Sequence, residues 1–122
     1  MQLGTELPGG VELSTGQWQL LALARASMQD EPLLVVLDEP TASLDARTEH
    51  EVFERSVELS EGARPRGAIT VLVSHRFSTV SMADTIIVMG DGTVVDAGPH
   101  PVLMERCPLY RELYDIQAST FR

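Results

Sequence analysis

Apolar and polar positions alternate between two regimes along the 122 residues, and the changes of regime mark the expected elements. Residues 1–12 hold Gly4, Pro8, Gly9 and Gly10 and predict a loop. From Ser14 to about Met28 the chain is rich in strong helix formers, above all Gln19-Leu20-Leu21-Ala22-Leu23-Ala24-Arg25-Ala26. Asp30, Glu31 and Pro32 end that helix. Leu33 to Leu37 is then an unbroken apolar run, the pattern of a strand buried on both faces as in a parallel sheet. A second helix is expected from about Ala46 to Leu59 behind Asp45 as N-cap, with Val52, Phe53 and Val57 on its dry side. Residues 61–67, with Gly62, Pro65 and Gly67, predict a loop.

A second apolar run, Ile69 to Val73, predicts another strand, followed by a short helix near Ser78–Met82. Thr85–Met89 predicts a third strand. Gly90-Asp91-Gly92 is a hairpin turn, so Thr93–Asp96 should pair back antiparallel. After Pro99 and Pro101, helices are expected over 102–106 and from Leu109 to about Ala118. Leu109, Leu113 and Ile116 form a stripe expected to be core or a docking surface.

Composition narrows the class. The length suits one domain. No apolar run approaches the ~18 residues of a membrane span, and no secretory signal pattern opens the chain. One cysteine, Cys107, excludes an internal disulfide and a cysteine-rich metal site; it is expected to be packed and reduced. The net charge of −9 argues against a nucleic-acid partner, which would require a basic footprint. Part of this acidity, Glu49, Glu51, Glu54, Glu58 and Glu61, falls on the expected wet face of the second helix.

The chemistry concentrates where the strands end. Asp38 and Glu39 follow Leu37 directly, and open α/β sheets place their sites at the carboxyl ends of strands. Adjacent carboxylates there suit a hard cation held by one carboxylate and substrate phosphates, with the second oriented toward a water. A plain solvated turn would also account for them. Ser14-Thr15-Gly16-Gln17 opens a helix, where free N–H groups favour an anion; Ser14 could equally be an ordinary N-cap. Asp45 is an N-cap candidate. His75 follows a strand and a serine, a place where a histidine is commonly structural. Neither His50 nor His100 is assigned a role.

Taken in order, Leu13-Ser14-Thr15-Gly16-Gln17, Leu33–Glu39, Ser43-Leu44-Asp45 and Ser74-His75-Arg76 resemble the signature loop, Walker B, D-loop and switch histidine of ATP-binding cassette (ABC) ATPase domains. The resemblance extends over essentially the whole chain. Gln17-Trp18-Gln19 and the text from Arg76 to Ala118 are similar to bacterial exporter-type members. It implies an α/β fold: a partial P-loop NTPase-like sheet of parallel strands with flanking helices and a C-terminal antiparallel hairpin, lacking the Walker A strand. Residues 1–122 would be a single partial domain, the C-terminal part of the ATPase domain.

It further implies ATP and Mg²⁺ as cofactors. Ser14, Thr15, Gly16, Gln17 and Asp45 would contact nucleotide, Asp38 would hold Mg²⁺, Glu39 would be general base, and His75 would contact the γ-phosphate. The implied partners are a second ABC ATPase domain and the transmembrane domain of an exporter, at the cytoplasmic face of the plasma membrane. Thr15 departs from the family's glycine: its β-branch would crowd the phosphate or restrict the loop, or its hydroxyl would donate to that phosphate. No GxxxxGK[ST] is present, and all nine basic residues are arginine, so the lysine that cradles phosphate is missing. The sequence therefore leaves two classes open: part of an ATP-hydrolysing exporter domain, inactive alone, or a non-catalytic remnant lending its signature loop to a partner ATPase.

Overall fold

The computed structural model describes residues 2–6 and 8–120. The chain forms two compact units, Met1–Val73 and Ser74–Arg122. Among the described residues, the strands make three two-stranded sheets.

In the first unit, β1 (Gln2–Leu3) and β2 (Gly10–Val11) pair in parallel, so the segment expected as loop carries a short ladder. Two residues per strand are too few to leave a periodic signature. Helix α1 (Thr15–Ala26) begins behind Ser14 in a full capping box. The Gln17 N–H donates to Ser14 Oγ at 3.2 Å, and the Ser14 N–H donates to Gln17 Oε1 at 2.9 Å.

Strand β3 (Leu34–Asp38) pairs in parallel with β4 (Ile69–Val73), in the register Leu34 with Ile69 through Asp38 with Val73. This is the parallel pair the apolar runs predict. Burial on both faces is not what they show. Val35, Leu37 and Thr70 line a groove of about 650 Å³ with Leu20 and Leu23 of α1 and Val52 of α2 (Ala46–Ala63). The opposite face is open: Leu34, Val36 and Ile69 are each about 60% exposed, and Val71 and Val73 are exposed too. A continuous apolar run records that both faces are apolar; it does not record whether a second layer is there to cover them.

Helix α2 runs four residues past the expected end, through Gly62, and closes in a 3₁₀ turn over Arg64–Arg66. Gly67, at φ 75°, then reverses the chain into β4. Asp45 is the N-cap of α2, accepting the Thr48 N–H at 2.7 Å.

The hydrophobic core lies in the second unit. Ile86 and Val88 of β5 (Ile86–Gly90), Leu103 of α4 (His100–Arg106), Cys107 and Tyr110 of α5 (Pro108–Thr120) are buried together. Phe77 and Val80 of α3 (Phe77–Val80) pack against them. Strand β6 (Thr93–Gly98) returns antiparallel through the two-residue turn Asp91-Gly92, both at positive φ as a primed turn requires. Asp96 of β6 pairs bidentately with Arg106 of α4 at 2.8 and 3.0 Å.

The stripe expected to be core or a docking surface divides, with Leu109 packed against the core. Leu113 and Ile116 are exposed, while Tyr110, Tyr114 and Gln117 turn inward. The rings decide the orientation. Phe77 meets Tyr110 and Tyr114 edge-on at 5.2 and 5.5 Å, and the Tyr110 hydroxyl lies 2.8 Å from His100 Nδ1. Burial raises the Tyr110 pKa, and the neighbouring Tyr114 adds to the shift.

Candidate functional site

At the carboxyl end of β3 the ladder finishes one residue beyond the strand. The Glu39 N–H donates to Val73 O at 2.8 Å. Asp38 pairs across from Val73 and is exposed; Glu39 is half-buried. Glu39 also departs from strand geometry, with φ at +46°. A non-glycine residue in the left-handed region costs of order 1 kcal/mol or more and persists where its surroundings fix it.

Those surroundings are visible. The Glu39 carbonyl accepts from Gln19 Nε2 of α1 at 2.9 Å and from the Ala42 N–H at 3.3 Å. The other end of the Gln19 amide accepts the Ser43 N–H at 3.0 Å. One side chain on α1 therefore holds both ends of the tight segment Glu39–Ser43. Inside that segment Pro40 and Thr41 are buried. The first turn of α1 also closes on it: a Cβ built on Gly16 would lie 2.9 Å from the Ser43 carbonyl oxygen.

The structure thus gathers most of the sequence candidates in the first unit. Ser14 caps α1, and Thr15, Gly16 and Gln17 form its first turn. Gly16 abuts Ser43, two residues before Asp45. Asp38 and Glu39 end β3. Asp45 caps α2, and hydrogen bonds from the Thr48 hydroxyl and N–H hold its carboxyl below the ordinary carboxylate range. The Ser14 hydroxyl oxygen and the Gln17 amide are engaged with each other's backbone N–H.

His75 belongs to the second unit, where its side chain is exposed and its backbone carbonyl accepts from Gln117 Nε2 at 2.7 Å. The fit to a hard cation rests on donor chemistry. Among the described residues no group of three or more His, Cys, Asp or Glu gathers into a cage. An exposed aspartate beside a glutamate matches a Mg²⁺ site completed by phosphate and water rather than by protein alone.

Gln19 was not marked by the sequence. Within Gln17–Arg25 it looks like one more helix former, and nothing local reveals that its amide spans 20 residues to Glu39. The available signal is weak: a polar residue one turn into an otherwise apolar helix stretch.

Comparison with known proteins gives the following. No protein-family model matches the chain. It is 43% identical over 113 residues to the nisin transport ATP-binding protein of Lactococcus lactis, covering 93% of this chain and 18% of that protein. It is 42% identical over 111 residues to the ATP-dependent lipid A-core flippase of Ralstonia nicotianae, covering 91% of this chain and 18% of the relative. The solved structure of a bacterial Atm1-family ABC exporter with ATP bound matches at a TM-score of 0.72 and 33% identity, over 93% of this chain and 20% of that one. The chain spans about a fifth of the length of the relatives it matches.

Proposed function

We propose that this chain, related to ABC exporters over nearly its whole length, serves as the C-terminal part of the ATP-hydrolysing domain of such a transporter. The observation that carries the reading is the single tied assembly at the end of β3. The acidic pair, the Ser43–Asp45 segment and the helix that begins with Ser14-Thr15-Gly16-Gln17 meet there through Gln19 and Gly16.

In this reading Asp38 would hold Mg²⁺, which would supply charge neutralisation for the transferring phosphoryl group. Glu39 accepts the proton of the attacking water. Its left-handed backbone turns the residue out of the strand, so that Asp38 and Glu39 need not alternate across one sheet. Ser14, Thr15, Gly16 and Gln17 present a helix N-terminus to the γ-phosphate bound by a second ATPase domain. Asp45 borders that interface, and His75 contacts the γ-phosphate of the nucleotide that is hydrolysed. Both compact units are parts of one ATPase domain, which works at the cytoplasmic face of the membrane beneath an exporter's transmembrane domain. No described helix is itself long and apolar enough to cross a membrane.

The 122 residues alone should bind ATP weakly, because they contain neither a lysine nor a glycine-rich phosphate loop. The same observation supports a second reading, a non-catalytic segment lending its signature turn to a partner ATPase. Glu39→Gln in an exporter-length protein carrying this segment distinguishes the two. Gln keeps the shape but cannot take the proton, so nucleotide binding should persist while hydrolysis falls about 10²–10⁴-fold. Hydrolysis at the parent rate would remove Glu39 as base and leave the acidic pair structural.

A further inference from the structure

We propose that Gln117, near the end of α5, is a positioning residue for His75, a proposal that rests on His75 contacting the γ-phosphate as read above. Residues 74–76 lie between β4 and α3, outside both ladders, so secondary structure does not fix the backbone that carries the imidazole. A side chain from 42 residues away grips it. Gln117 Nε2 donates to the His75 carbonyl at 2.7 Å, and Gln117 Oε1 accepts the Phe77 N–H. The two bonds hold the peptide groups on either side of Arg76, and so set the direction in which the His75 side chain leaves the chain. The Phe77 N–H is one of the orphan donors at the start of α3 and needs an external acceptor. A local bond from the Arg76 N–H to Ser74 Oγ at 3.1 Å tightens the same turn.

The clamp has a firm base. Tyr110, two turns earlier on α5, is buried in the core, and Phe77 meets both Tyr110 and Tyr114 edge-on. Gln117 is thereby held at a fixed height opposite His75. The arrangement repeats the one at Glu39, where the Gln19 amide takes the carbonyl of the candidate and the N–H of a residue further along. Glu39 and His75 thus each have the backbone carbonyl gripped by a glutamine from a distant helix.

The test uses an exporter-length protein carrying this segment, with ATP hydrolysis, KM for ATP and thermal midpoint measured for Gln117→Met, His75→Ala and the double variant. Met keeps the length and packing of Gln but neither hydrogen bond. Gln117→Met should lower kcat about 10- to 100-fold, the scale expected for a small misplacement of a reacting group. KM should stay within about twofold and the variant should remain folded at the assay temperature, a split that a general loss of packing would not give. On the His75→Ala background, adding Gln117→Met should cost nothing further. The proposal is overturned if Gln117→Met leaves kcat intact while His75→Ala abolishes hydrolysis, or if its effect persists undiminished without the imidazole. Should His75→Ala itself hydrolyse ATP at the parent rate, the role of His75 fails first, and the positioning role goes with it.

Discussion

Two helical glycines offer a matched experiment on how α1 meets the turn after β3. Gly16 and Gly62 both lie inside helices, and alanine is the better helix former by about 0.8–1.0 kcal/mol. At Gly62 an added Cβ meets nothing within 4 Å, so Gly62→Ala should stabilise the chain by about 0.5–1 kcal/mol. At Gly16 the same methyl would stand 2.9 Å from the Ser43 carbonyl oxygen. That is about 0.5 Å inside ordinary carbon–oxygen approach distances of about 3.3–3.6 Å. The obstacle is backbone, and it is fixed from both sides. Gln19 holds the Ser43 N–H, and the Leu44 N–H donates to Thr41 O at 3.1 Å. Forcing a methyl into such a contact costs about 1–3 kcal/mol, more than the helix preference returns, so Gly16→Ala should be net destabilising by about 1–2 kcal/mol. Trp18, the single tryptophan, sits two residues from Gly16 with its indole N–H donating to Glu12 at 2.8 Å. Urea unfolding followed by its fluorescence therefore reads the α1 region directly. If Gly16→Ala stabilises as Gly62→Ala does, α1 does not approach Ser43 closely, and the tied assembly proposed as the site loses one of its two supports.

Three further outcomes are expected. Leu103 is fully buried at the centre of the second unit, so Leu103→Ala should cost about 2–5 kcal/mol, read as faster amide exchange in β5 and α4. The Asp96 carboxyl is held below its ordinary pKa, first by hydrogen bonding from Arg106 and then by the Ala97 N–H. A folded-state pKa lowered in this way adds stability above the unfolded value near 4, and that contribution disappears as pH falls through the folded value. Arg106→Gln should therefore flatten the acid limb of thermal midpoint against pH as pH falls below the unfolded value near 4; an unchanged limb would count against the pairing. Finally, Val36→Lys puts a charge in the open apolar face of the β3–β4 pair and should lower self-association measured by sedimentation, whereas persistent association would locate the sticky surface elsewhere.

Much of this was legible in the residues. The hairpin at Asp91-Gly92 and the Asp45 cap follow from short-range rules, because each depends on a few neighbouring residues, and each strand of the parallel pair is marked by its own apolar run. Two kinds of feature were not. The first is exposure: Leu34, Val36 and Ile69 are apolar like core residues, and only their place in the fold reveals that nothing covers them. The inward turn of Tyr110 and Tyr114 in place of Leu113 and Ile116 belongs here too, since ring partners on α3 and α4 decide it. The second is reach. Gln19 and Gln117 act across 20 and 42 residues, and a glutamine in a helix carries no local mark of a distant carbonyl. Among the candidates, Asp38 and Glu39 were marked by sequence as a pair at a strand end. The positive φ that separates their directions was not, because glutamate has no preference for that region.

That backbone angle sets stability and chemistry against each other at one codon. Glycine and asparagine enter the left-handed region more readily than glutamate, so either replacement at 39 should relieve strain and leave a better-folding chain with no carboxylate to take a proton. A library sorted for soluble yield alone would drift toward those residues at this position, and a library sorted for turnover would hold glutamate against the drift. The composition recovered at position 39 would then report which of the two pressures a population had experienced.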